Sequence, residues 1–157
     1  MNNLSSIYLS LGSNIGNREN NLKLALKELS EILRIKKISS IYETEPLSYQ
    51  KQDNFFNIVV EVSYFDEAEI LLKNIKDIEK KMGREATFRF GPRIIDIDII
   101  FFNGQEVNDE SLTIPHKEWK NRLFVVAPLY EVLDREIEES KFNISNQKVI
   151  RIGNIKI

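Results

Sequence analysis

The hydrophobic period of this chain switches between that of a strand and that of a helix in one fixed order, and this limits its fold more than any other feature. Ser6–Leu11 alternates polar and apolar side chains, the period of a half-buried strand. Gly12-Ser13-Asn14 reads as the break that ends it. Leu22, Ala25, Leu26, Leu29, Ile32 and Leu33 then recur at helical spacing, with Asn17 as the expected N-cap. Ile35–Thr44 and Phe55–Tyr64 are rich in β-branched and aromatic residues and read as two strands. A second helix is expected from Asp66, with Glu69 completing a capping-box-like pattern and Gly83 ending it. Its inward stripe is Ala68, Leu71, Leu72, Ile75, Ile78 and Met82. Ile94–Phe102 reads as a further strand, closed by an Asn103-Gly104 turn. Leu123–Ala127 reads as buried and Pro128–Leu133 as a short helix, and after Asp134 the pattern is too weak to assign.

The order β-α-β-β-α-β predicts an α+β domain: a ferredoxin-like antiparallel sheet with helices packed on it. With 157 residues and no repeat or linker, residues 1–157 are expected to form a single domain. Apolar residues at 42% and charged residues at 29% are the balance of a globular protein, and no apolar run is long enough to span a bilayer. The absence of cysteine excludes a disulfide frame, thiolate zinc sites and a cysteine nucleophile. It suits a cytoplasmic location, and the first residues carry no signal-peptide pattern. A net charge of -2 argues against general nucleic-acid or membrane-surface partners.

That charge is unevenly spread. Lys80, Lys81, Arg84, Arg89 and Arg93 face only Glu85 between residues 80 and 93, so this segment carries an excess of four positives and the remaining chain carries -6. It leads into Asp96-Ile97-Asp98. On a strand, Asp96 and Asp98 share one face while Ile95, Ile97 and Ile99 share the other, with the two Asp Cα atoms about 6.6 Å apart. Two close carboxylates on an apolar strand repel each other and are costly to desolvate, which a divalent cation relieves. Magnesium takes a few carboxylates together with phosphate oxygens and water. An Asp-x-Asp pair alone is more often just solvated. Joined through Gly91-Pro92-Arg93 to a forked, permanently charged guanidinium, it points to phosphoryl chemistry. The polar, basic segment Arg84–Pro92 is expected to act as a lid over a bound polyphosphate–magnesium complex. Gly12-Ser13-Asn14 is a weaker candidate phosphate cradle, and it lacks the Gly-Lys-Ser/Thr ending of a P-loop. His116, the one histidine, follows Pro115 close to Thr113, Lys120 and Arg122, where it could donate to phosphate.

Six blocks carry a family resemblance. They are Gly12-Ser13-Asn14-Ile15-Gly16-Asn17-Arg18, Tyr42-Glu43-Thr44-Glu45-Pro46-Leu47, Asn54-Phe55-Phe56-Asn57, Ile78-Glu79 with Gly83-Arg84, Gly91 through Asp98, and Leu112-Thr113-Ile114-Pro115-His116 with Lys120-Asn121-Arg122-Leu123-Phe124. Over roughly residues 6–130 the chain resembles the 6-hydroxymethyl-7,8-dihydropterin pyrophosphokinases of folate synthesis. The resemblance implies transfer of diphosphate from ATP to a pterin hydroxymethyl group, with release of AMP. By it, Asp96 and Asp98 hold two Mg2+ ions, and Arg84 and Arg93 act on the transferred group. Glu79, Arg84, Arg93, Ile99, Thr113, His116, Lys120 and Arg122 border ATP. Phe55 and Phe124 stack on the pterin, while Asn57 and the backbone near Thr44, Glu45 and Leu47 read its amide edge. Phe55 stands where a tyrosine is common, and Ala86 where many members carry a loop arginine. The expected partners are these small molecules, and the expected state is a monomer. Two other readings of the same residues are a nucleotidyltransferase and a non-catalytic ligand-binding module. In the first class Gly-Ser and Asp-x-Asp usually lie close together, whereas Ser13 and Asp96 are far apart.

Overall fold

The computed structural model describes residues 4–45, 53–83 and 93–156. The expected lid at Arg84–Pro92, with Arg84, and the pterin-reading residue Leu47 lie outside the described residues. Among the described residues eight strands and three α-helices follow one another: β1 (Ile7–Ser13), α1 (Arg18–Ser30), β2 (Arg34–Ile38), β3 (Ser40–Thr44), β4 (Phe55–Ser63), α2 (Ala68–Lys81), β5 (Asp96–Phe102), β6 (Val107–Asn108), β7 (Thr113–Ile114), α3 (Leu123–Leu133) and β8 (Val149–Asn154). The main sheet runs β5-β1-β4-β3-β8, with β2 also paired to β4, and every pairing is antiparallel. The short pair β6–β7 stands apart.

The alternation of β1 and β4 builds two cores. Ile7, Leu9 and Leu11 with Ile58, Val60 and Val62 meet the buried stripes of α1 (Leu22, Ala25, Leu26, Leu29) and α2 (Ala68, Leu71, Ile75, Ile78). Tyr8 and Val59 point to the opposite face, against Val125, Val126 and Leu129 of α3. The sheet is therefore sandwiched between α1 and α2 on one side and α3 on the other.

Several boundaries differ from the sequence reading, each for a local reason. β1 runs through Ser13 rather than ending at Leu11, because its pairing with β4 continues to Ser13↔Phe56. Asn17 does cap α1, its side chain accepting from the Asn20 N–H at 3.0 Å. α2 starts at Ala68 rather than Asp66: Glu67 is the extended cap residue without a side-chain bond, and the Asp66 carboxylate accepts from the Glu67 N–H instead. The expected single strand Ile35–Thr44 is two, since Ser39 sits between them and its N–H and hydroxyl bond Val59 and Ser40. Leu123–Leu133 is one helix that contains Pro128, its apolar surface being buried enough to hold the helix through the missing N–H. The unassigned tail supplies β8, which pairs with β3. Asn103 and Gly104 both take positive φ, as the tight turn requires.

Glu131 fastens α3 to the sheet. Its carboxylate accepts from the Ser40 N–H at 3.1 Å, the Ser40 hydroxyl at 2.8 Å and the Tyr42 hydroxyl at 2.7 Å. Burial, and after it the neighbouring Glu131, pushes the Tyr42 hydroxyl up to about 12. A hydroxyl raised above its unfolded value contributes stability that is complete below pH 10 and is lost as pH rises toward 12. Glu131→Ala removes the acceptor from the fully buried Ser40 N–H and the nearly buried Tyr42 hydroxyl, while the Ser40 hydroxyl keeps Asn154 Oδ1 at 3.0 Å. It is expected to lower unfolding free energy by about 1–3 kcal/mol in urea titrations.

Candidate functional site

The site begins with sheet register. Gly12 on β1 lies opposite Asp96 on β5 and opposite Asn57 on β4, so Asp96, Gly12 and Asn57 form one row across three strands. Asp98 stands beside Ser10 in the parallel row, on the same face. The even residues of β1 and the odd residues of β4 point toward α3. Both carboxylates, Asn57 and Phe55 therefore share the sheet face at whose margin α3 begins with Leu123-Phe124. The alternation expected of Asp96 and Asp98 is present, with Ile95, Ile97 and Ile99 buried in the α1–α2 core.

Gly12 is required here by space. A Cβ at this position would meet Asn57 Oδ1 at 2.8 Å and Phe55 Cδ1 at 3.5 Å. Asn57 itself is 2% exposed, and among the described residues its Nδ2 has no hydrogen-bond partner. A buried amide donor left unpaired costs on the order of 1–3 kcal/mol, so its natural complement is an acceptor on a bound molecule.

A β-bulge sets the other wall. The β1–β5 register shifts between Tyr8↔Phe101 and Leu9↔Ile99, which leaves Ile100 as the extra residue. Ile100 and Phe101 consequently both face α3, and the Ile100 carbonyl accepts the His116 N–H at 2.9 Å. His116 Nδ1 accepts from the Glu118 N–H at 3.1 Å, so the neutral ring carries its proton on Nε2. Burial, the largest influence, lowers the His116 pKa, while Asp98 opposes the shift. His116, Asp98, Ile99, Thr113 and Arg122 line a cleft of about 1350 Å³ whose far wall is the β6–β7 pair.

Arg93 Nε lies 3.9 Å from Asp96 Oδ1, so the guanidinium does stand beside the Asp strand. The Arg122 guanidinium lies 5.7 Å from the centre of the Phe124 ring. Lys120 is exposed and lies by Trp119, outside the cleft lining. Glu79 is 6% exposed and its carboxylate accepts the Ile97 N–H at 2.9 Å. It holds the backbone between the two aspartates from beneath. Thr44 is half-buried at the end of β3, opposite Phe55, and Glu45 is exposed beyond it. Among the described residues no group of three or more His, Cys, Asp or Glu side chains is arranged to hold a metal.

The Gly12-Ser13-Asn14 cradle is not formed. Gly12 is engaged in ladders on both sides, Ser13 is paired with β4, and the Asn14 N–H donates to the Arg93 carbonyl at 3.0 Å. No free donor row is left for phosphate. Instead Asn14 and Arg18 tie neighbouring segments together, a role the sequence reading missed. Arg18 lies 3.8 Å over the Phe56 ring and donates to Glu43 and to the Asn54 carbonyl, both at 2.8 Å. The one hint in the sequence was that two such polar side chains flank the short connection between β1 and α1.

A sheet face that carries two carboxylates, the row through Gly12 and a neighbouring guanidinium is the candidate site of this fold, and comparison with known proteins gives the family. The profile of the 7,8-dihydro-6-hydroxymethylpterin-pyrophosphokinase (HPPK) family matches residues 8–134, and the chain belongs to that family. It is 38% identical to the 2-amino-4-hydroxy-6-hydroxymethyldihydropteridine pyrophosphokinase of Bacillus subtilis over 97% of this chain and 91% of that one. It is 41% identical to the bifunctional protein FolKE of Lactococcus lactis over 94% of its own length. There it spans only 42% of the relative, and 39% of a second Lactococcus lactis FolKE. A crystal structure of HPPK-DHPS in complex with substrates shares the fold, with TM-score 0.61, 20% identity, and coverage of 87% of this chain and 41% of that one.

Gly12→Ala is expected to cost about 1–3 kcal/mol through overpacking against Asn57. Urea unfolding should show most of that loss disappear when the same change is made in an Asn57→Ala background, because the two sites are in contact.

Proposed function

We propose that this chain transfers a diphosphate from ATP to the hydroxymethyl group of 6-hydroxymethyl-7,8-dihydropterin, releasing AMP, as a step of folate biosynthesis. The observation that carries this reading is the row Asp96–Gly12–Asn57: a buried amide whose Nδ2 has no partner among the described residues and a carboxylate pair lie on one sheet face, separated only by a residue without a side chain. A flat heterocycle hydrogen-bonded at Asn57 could extend over Gly12 and bring an attached hydroxyl toward the aspartates. Phe55 and Phe124 would stack on its two faces. The backbone near Thr44, Glu45 and Leu47 would take the rest of its amide edge.

Asp96 and Asp98 would hold two Mg2+ ions. A carboxylate pair suits magnesium, whose other positions phosphate oxygens and water fill. When bound, the metal offsets charge on the polyphosphate. Arg84 and Arg93 would hold the transferred group, with His116 donating through Nε2–H and Arg122 and Lys120 adding positive charge near the triphosphate. Ile99 and Thr113 would border the adenine. Glu79 would act by fixing the Asp strand. In the reaction the pterin hydroxyl oxygen bonds to the β-phosphorus and loses its proton to solvent, while the bond from that phosphorus to the oxygen of AMP breaks.

In finer detail, β1, the β2–β3 pair, β4 and β5 stand in the order β5-β1-β4-β3, which supports a ferredoxin-like core. We read 1–157 as a single pterin pyrophosphokinase domain, monomeric and cytoplasmic. Among the described residues no helix is long and apolar enough to cross a membrane.

Incubation with Mg-ATP and the reduced pterin alcohol should yield AMP and a pterin diphosphate. Pyrophosphate with a nucleotidylated product would establish a nucleotidyltransferase instead. Asp96→Asn and Asp98→Asn should each lower turnover by about 10²-fold or more with the circular dichroism spectrum unchanged. Phe124→Ala should weaken pterin binding far more than ATP binding, by about 0.5–1.5 kcal/mol beyond the lost buried area, as read by calorimetry. Equal weakening of the two ligands would assign Phe124 to packing.

A further inference from the structure

Asn14 is a polar side chain with 2% exposure at the end of β1, and the reaction proposed above gives it no chemical task. Its carboxamide is engaged at both ends. Oδ1 accepts the Arg93 N–H at 2.7 Å, and Nδ2 donates to the Asp53 carbonyl at 3.1 Å. Its own N–H donates to the Arg93 carbonyl at 3.0 Å, so Asn14 holds both backbone groups of Arg93. An amide suits this pattern because it donates from one atom and accepts at another, whereas a carboxylate or an amine could serve only one of the two partners.

The two anchored residues belong to different halves of the site. Asp53 precedes β4 by two residues, and β4 carries Phe55 and Asn57. Arg93 precedes β5 by three residues, and β5 carries Asp96 and Asp98. The bonds span sequence separations of 39 and 79 residues. Arg18 reinforces the first half by donating to the Asn54 carbonyl and to Glu43.

We propose that Asn14 is a positioning residue for both substrates, a strut that fixes the entrance to the pterin-side strand β4 relative to Arg93 and the carboxylate-bearing strand β5. In-line transfer needs the acceptor oxygen and the phosphorus aligned within a fraction of an ångström, and misplacement by about 1 Å can cost 10²-fold in rate. The row Asp96–Gly12–Asn57 sets this spacing inside the sheet. Asn14 carries it beyond the last ladder rung, where the chains at 53 and 93 would otherwise separate. This inference rests on the pyrophosphokinase reading for its kinetic consequence, but its structural content does not depend on it.

The test is Asn14→Ala, compared with the unmodified protein by amide hydrogen exchange and by steady-state AMP release. Exchange should accelerate together in residues 53–57 and 93–97 while that of α3 stays unchanged. KM for the pterin and KM for ATP should both rise about tenfold or more. Acceleration in one segment only, or in neither, overturns the strut. So do KM values within twofold of the unmodified protein with kcat falling in proportion to the folded fraction, which is the signature of plain destabilisation. Should Asn14→Ala not fold, Asn14→Ser, which loses the bifunctional amide but keeps a polar atom, is read in the same way. If the unmodified protein releases no AMP, the functional reading fails, and the strut is judged on hydrogen exchange alone.

Discussion

Everything in this structure depends on the position of β1 at the centre of the site end of the sheet, paired antiparallel to β4 on one side and β5 on the other. A strand with neighbours on both edges cannot slip, because moving by one residue would turn Leu9 and Leu11 out of the core and Ser10 and Gly12 into it. Hydrophobic burial therefore fixes the register, and the register fixes the row Asp96–Gly12–Asn57. A carboxylate pair and an amide are thereby held at set spacing by the packing of residues on the opposite face.

The same economy appears at the margins. The bulge at Ile100 turns Phe101 toward Trp119, with ring centroids 5.1 Å apart, and frees a backbone carbonyl that docks His116 beside Asp98. Glu79 reaches from α2 to the Ile97 N–H, so the edge strand is supported between its two aspartates. Each of these contacts uses a backbone group that the ladder leaves over. Edge strands and bulges are where such groups occur, which is why the polar machinery collects there.

The interior of the fold was legible in the sequence wherever a long period was unambiguous. The stripes of α1 and α2, the cap at Asn17, the turn at Asn103-Gly104 and the alternation around Asp96 and Asp98 each follow from local chemistry. The misread places are those where a local signal competed with a distant partner. Gly12-Ser13-Asn14 reads as a turn because glycine, serine and asparagine favour turns, yet β4 and β5 extend the strand through Ser13. Pro128 reads as a helix start, yet burial carries α3 across it. β8 has no strong pattern of its own, with Ile150 and Ile152 exposed, and forms because β3 offers an unpaired edge.

The sequence by itself determined which residues are candidates for chemistry: two carboxylates at strand spacing, a guanidinium ahead of them, one histidine and, through the family resemblance, two rings. Charge, ring and amide are properties of side chains and need no partner to be recognised. Tertiary structure alone decided which of them meet. It brought Arg93 and Asp96 within 3.9 Å, turned Glu79 toward the backbone and left Lys120 by Trp119 at the surface. It also gave Asn14 two partners 39 and 79 residues away. Those outcomes depend on register, and register is set by the packing of both sheet faces at once, which no single segment encodes.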